Sequence, residues 1–212
     1  MKFYSFLLET KTLEPKRLEL FNYLLRHILG GTSSREKLPP LLDSLDLWEK
    51  QKTPLYRAVV LPKNKILDYY KGKERIVDHV SSWSDNLDEV KKFGERNLFS
   101  DGYEVICIIY KITKAKKIFD LDDFINNKKN KEYIEAALEL GEFKREKKYI
   151  KRNIRNEKEI LVAEGIKLDK KNLFLFWKRG KSKHDMKWEL IPKSIQKFDD
   201  ETLSPYERIM KY

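Results

Sequence analysis

The chain has 212 residues, 41% hydrophobic and 12% aromatic, which is enough to bury a core and too apolar for a disordered polypeptide. Lys and Arg number 45 against 34 Asp and Glu, a net charge of +11 that favours acidic or polyanionic partners without choosing among nucleic acid, anionic membrane, acidic protein and phosphorylated ligand. A single cysteine excludes an intrachain disulfide and a cysteine metal cluster, and no apolar run approaches the length of a membrane span.

The apolar start Phe3–Leu8 is too short for a signal peptide and ends at Glu9, so a cytoplasmic protein is expected. Pro15 to Ile28 predicts an amphipathic helix: Pro15 suits a first turn, Leu18, Phe21, Leu25 and Ile28 share one face, and Gly30-Gly31 stops it. Pro39-Pro40 is expected to open a second helix with Leu41, Leu42, Leu45 and Trp48 on its apolar side. These elements make residues 1–52 a helical N-terminal portion, expected to pack on a core spanning 53–212.

From Leu55 to Leu61 the sequence is nearly continuously apolar and predicts a buried strand, broken only by Arg57. Ile66–Ile76 reads as helix and Val80–Ser84 as a short strand. Asp85–Asn97 reads as a helix capped by Ser84 or Asp85, with Asp88 and Glu89 in its first turn. Tyr103–Ile112 is a strong strand containing Cys107, an expected inert core residue, and Lys117–Leu121 is a weaker one. Asn126–Arg155 is rich in Lys and Arg, with a helical patch at Tyr133–Leu140 and a cationic loop from Lys144 to Arg155. Glu159–Glu164, Lys167–Asp169, Leu173–Trp177 and Trp188–Ile191 read as short strands, and the tail from Ser204 as a short helix. The sum is an α+β chain, helices first and then mostly antiparallel short strands. The histidines His27, His79 and His184 are far apart in sequence and suggest no zinc site.

Three stretches carry chemistry. Arg57 lies inside an apolar strand, where a guanidinium that cannot lose its proton requires an anionic partner. Ser82-Trp83-Ser84 ends a short strand and leads into a helix. Glu157 and Glu159, two residues apart, share a face on entry to Ile160-Leu161-Val162, where their mutual repulsion needs a reason. Each has an ordinary reading taken alone: an internal ion pair, a helix cap and a solvated strand end.

Taken in order, Arg, then Ser-x-Ser, then Glu-x-Glu resembles the signature of the Arg-Ser-Glu branch of mono-ADP-ribosyltransferases, over roughly Thr53 to Ile191. That branch includes clostridial binary toxins, vertebrate arginine-specific enzymes, and phage and toxin-system transferases. Phe93-Gly94 matches a further feature of the family, and Arg96, three residues after the Phe, one of the binary-toxin type. The resemblance implies a split antiparallel β-sandwich with a helical N-terminal portion, with NAD bound as substrate between the sheets and no metal. It also implies site roles. Arg57 meets the NAD phosphates, backbone groups of Ala58 hold the carboxamide, and Ser82 and Ser84 belong to the NAD site. Phe93 packs on nicotinamide and Arg96 meets the diphosphate. Glu159 is the catalytic carboxylate, oriented by the Ser82 hydroxyl, and Glu157 prepares the acceptor. An inhibitory antitoxin or chaperone is an implied partner.

The physical account runs beside the resemblance. Cleaving the nicotinamide–ribose bond passes through a state resembling an oxocarbenium ion, which a fixed carboxylate stabilises. The planar donors of an arginine match phosphate. The acceptor stays open, because Trp83 replaces a common Thr and the nearest aromatic before the Glu pair is Tyr149. An arginine of a protein is the family default, and RNA or DNA the alternative. A non-catalytic basic nucleic-acid-binding module is a further alternative, based on the net charge and on Phe174, Phe176, Trp177, Lys178 and Arg179.

Overall fold

The computed structural model describes residues 13–30, 34–62, 80–98, 105–139, 143, 146–154, 158–163, 171–178 and 187–190. In chain order the elements are α1 (Pro15–Ile28), α2 (Ser34–Ser44), β1 (Leu55–Pro62), β2 (Ser81–Trp83), α3 (Leu87–Leu98), β3 (Val105–Ile112), β4 (Ile118–Asp120), α4 (Leu121–Asn126), a 3₁₀ turn (Lys128–Asn130), α5 (Lys131–Glu139), α6 (Lys147–Ile154), β5 (Ile160–Val162), β6 (Leu173–Lys178) and β7 (Lys187–Leu190). This is a mixed helix and sheet protein with small antiparallel sheets. The expected elements at Ile66–Ile76, Lys167–Asp169 and from Ser204, together with Glu157, His79 and His184, lie outside the described residues.

The chain divides into two compact units. One comprises residues 1–50, 79–81 and 116–164, the other 51–78, 82–115 and 165–212. The N-terminal helices therefore cluster with residues 116–164.

In the first unit, α1 has the predicted bounds. Pro15 stands in its first turn, where a missing N–H costs nothing. Leu18, Leu20, Phe21, Leu24, Leu25 and His27 are buried, a wider face than the four predicted positions. Gly30 adopts a φ of 81° and donates its N–H to the His27 carbonyl at 2.8 Å, a left-handed stop that glycine makes without strain. The helix α2 departs from expectation: Pro39 and Pro40 lie inside it and do not open it. Each removes a backbone hydrogen bond, at about 3 kcal/mol in a regular helix interior. Burial of Leu38 and Leu42, one turn apart, holds the segment helical regardless. Asp46, at a φ of 50°, ends it by sending the Leu47 N–H back to the Leu42 carbonyl at 3.0 Å.

Phe21 stacks on Phe124 and Tyr133, with centroids 5.2 and 5.6 Å away. Arg17 lies over the last two rings and reaches the Asn130 side chain at 2.8 Å. Asn130 is buried and also donates to the Phe124 carbonyl, so a polar residue inside this core is satisfied on both sides. Strands β4 and β5 pair antiparallel, Ile118 opposite Val162 and Asp120 opposite Ile160. All three residues of β5 are buried. Ser81, the residue of β2 in this unit, reaches the Val162 carbonyl with its hydroxyl at 3.4 Å.

The cationic stretch expected as a loop contains helix α6. Phe143 and Ile150, seven residues apart, are both buried in the core of this unit. Lys147 pairs with Glu135 and Glu139 of α5. Two buried apolar side chains and a neutralised lysine override what the charge density suggested.

In the second unit a four-stranded sheet runs in the order β1-β3-β6-β7. The central β3 buries Cys107 through Tyr110. Strand β1 was expected to be buried throughout, yet Leu55 is buried and Tyr56 through Val60 are only half-buried. The physical reason is position: β1 ends the sheet order, and an apolar sequence does not distinguish an edge strand from a central one. Tyr56 makes a two-hydrogen-bond bridge with Ser84, at 2.8 and 3.0 Å.

Helix α3 is capped by Asn86, not by Ser84 or Asp85. Its side-chain oxygen accepts from the N–H groups of Asp88 and Glu89 at 3.1 and 3.3 Å. Gly94 lies on the buried side of α3. A Cβ there would stand 2.6 Å from the Cys107 sulfur and 3.1 and 3.2 Å from the Trp188 ring. Trp188 is tied to the same helix by its indole N–H, which donates to Glu95 at 2.8 Å.

Candidate functional site

Arg57 follows from the register of β1, opposite Tyr110 of β3. It is half-buried, and a terminal N–H donates to the Ser82 carbonyl at 2.7 Å. The first two predicted site segments thus meet directly within one unit, 25 residues apart in sequence. The contact uses the Ser82 backbone carbonyl.

Ala58 is half-buried and packs against the cluster of Val90, Ile109 and Leu175. Ser84 is buried, and its hydroxyl accepts from the Asn86 N–H at 3.1 Å, fixing the turn between β2 and α3. On α3, Phe93 is 52% exposed, and Arg96 is exposed with its Nε directed to the Lys92 carbonyl at 3.3 Å. Gly94 between them is accounted for by packing on Cys107 and Trp188.

Glu159 belongs to the other unit. It stands one residue before β5, and its backbone carbonyl accepts from the Leu121 N–H at 3.0 Å. Its carboxylate Oε1 accepts from His27 Nε2 at 2.8 Å. The His27 side chain is 6% exposed and that of Glu159 15%. Sequence reasoning passed over His27, although a signal was present. Leu20, Leu24 and His27 stand at i, i+4 and i+7, so the histidine continues a buried apolar line of α1.

Cys107 is buried, and burial pushes its thiol up to about 12, with the nearby Glu95 charge adding to the effect. It is the inert core residue expected. The Lys117 ammonium beside Asp43 holds that carboxyl below its ordinary value. Among the described residues no group of three or more His, Cys, Asp or Glu side chains is placed to hold a metal ion. No helix among them is long and apolar enough to cross a membrane. No protein-family model, curated protein or solved structure matches the chain.

Proposed function

We propose that this chain is an NAD-dependent mono-ADP-ribosyltransferase, with its two small antiparallel sheets as the sheets of that family's split β-sandwich. The observation that carries the reading is the 2.7 Å hydrogen bond from Arg57 to Ser82, which joins the first two members of the Arg, Ser-x-Ser, Glu-x-Glu series. Glu159, the third, supports it as a carboxylate anchored through backbone and side chain and still partly open.

In this reading Arg57 and Arg96 bind the NAD phosphates and Phe93 stacks on nicotinamide. The bond between nicotinamide and ribose breaks with its electron pair leaving on nicotinamide. Glu159 faces the positive charge that develops on the sugar. An acceptor nucleophile then bonds to the anomeric carbon and loses a proton, giving the ADP-ribosylated acceptor and free nicotinamide.

The acceptor is a protein, with arginine as the family default. A nucleic-acid acceptor is a second reading, favoured by α6, where Lys148 is exposed and Tyr149 is 59% exposed on a helix rich in cations. Such a face suits a phosphate backbone and an unstacked base. Incubation with labelled NAD and a cell lysate, followed by separate recovery of protein and nucleic acid, tests both. Label in protein with release of nicotinamide supports the first reading, and label in RNA or DNA the second. Salt-sensitive nucleic-acid binding with no nicotinamide release refutes the transferase and leaves a binding module.

A further inference from the structure

The contact between His27 and Glu159 joins residues 132 apart in sequence. We propose that His27 is a positioning residue: it fixes the Glu159 carboxylate in the orientation that sugar-charge stabilisation requires. The inference rests on the function proposed above.

Stability alone does not explain the pair. A leucine at position 27 with an apolar residue at position 159 would continue the Leu20–Leu24 line without burying polar groups, and such replacements of a whole buried polar pair are often neutral or stabilising. The environment of His27 is rigid. Its ring is almost fully buried, and its own carbonyl receives the Gly30 N–H that closes the end of α1. Glu159 is tied at the backbone by Leu121 and runs straight into the wholly buried β5. The side-chain torsions of the glutamate are what the backbone leaves undetermined. A hydrogen bond to Oε1 from an immobile ring restricts them, and an ionised carboxylate can only accept, so Nε2 carries the hydrogen. Stabilisation of a developing charge depends on that preorganisation, because a group that must reorient loses much of its effect.

The test compares His27→Leu with His27→Gln, which retains an N–H donor, using steady-state NAD turnover and thermal melting. His27→Leu is expected to lower kcat at least about 30-fold, with KM for NAD within about threefold of the parent, and His27→Gln to recover at least tenfold of that loss. His27→Met serves as the apolar variant if His27→Leu does not fold. A folded apolar variant with kcat within about threefold of the parent overturns the positioning role while leaving the transferase standing. So does a glutamine variant no better than the apolar one. Absence of NAD turnover in the parent overturns the proposed function itself, and the positioning role with it.

Discussion

Gly94→Ala isolates the packing of α3 from the chemistry of the residues beside it. In an exposed helix interior the change would stabilise by about 1 kcal/mol, because glycine loses more backbone freedom on folding than alanine. Here the new Cβ would lie 2.6 Å from the Cys107 sulfur, about 1 Å inside ordinary contact, and against two atoms of the Trp188 ring. Neither neighbour yields easily: Cys107 is fully buried in the central strand, and the Trp188 indole is hydrogen-bonded to Glu95. Overpacking of this kind costs about 1–3 kcal/mol. With both neighbours held, the upper half applies, and subtracting the helix gain leaves a net loss of about 1–2 kcal/mol. Urea unfolding followed by tryptophan fluorescence measures it. Cys107→Ala supplies the control, since removing the sulfur makes room for the new methyl. The double variant should then be more stable than the sum of the single effects by about 1 kcal/mol. A Gly94→Ala protein as stable as the parent, or strict additivity with Cys107→Ala, would refute the reasoning.

Cys107 itself should resist thiol reagents in the folded protein: with a thiol pushed up to about 12, the thiolate fraction at pH 8 is about one part in ten thousand, and burial blocks access. Labelling should appear only as denaturant unfolds the chain, which a thiol-release assay across a urea series follows. Arg57→Ala should weaken NAD binding at least tenfold, as expected for loss of a charge-assisted phosphate contact, and an unchanged Kd by calorimetry in a folded variant would make Arg57 a structural residue. Reversing Lys148, Lys151 and Arg152 of α6 to Glu should leave NAD hydrolysis nearly intact. It should cut transfer at least tenfold if the acceptor is a polyanion, with transfer by the parent falling steeply as salt is added. Lys147 is left in place because it already pairs with Glu135 and Glu139.

The parts legible in the sequence are those that local physics decides. The bounds of α1 follow from Pro15, the apolar spacing and Gly30, and β3 follows from a run of β-branched and aromatic residues interrupted only by Cys107 and Lys111. Where tertiary burial outweighed a local preference, the reading failed. Pro39 and Pro40 signal a helix start, but Leu38 and Leu42 anchor the turns on both sides of them. The charges of α6 suggest a solvated loop, but Ile150 on the helix and Phe143 before it are buried in the core. Apolar composition showed that β1 is a strand and could not show that it ends the sheet order. Arg57, Ser82 and Glu159 stand out in that order in the sequence, and the structure places an Arg57 N–H on the Ser82 carbonyl. The partnership of Glu159 with His27 does not stand out, because it depends on which face of α1 meets the start of β5, and hydrophobic periodicity counts a histidine as a polar interruption.

The central claim is that Glu159 stabilises positive charge on a sugar as nicotinamide leaves. Release of nicotinamide from NAD by the parent and by Glu159→Gln, with no acceptor added, measures this most directly, because the substitution keeps size and removes the charge. Loss of a charge this close to the reacting centre is worth more than about 3 kcal/mol of barrier, so the variant should release nicotinamide at least about 100-fold more slowly while melting like the parent. A folded Glu159→Gln protein that releases nicotinamide within tenfold of the parent rate would contradict the assignment.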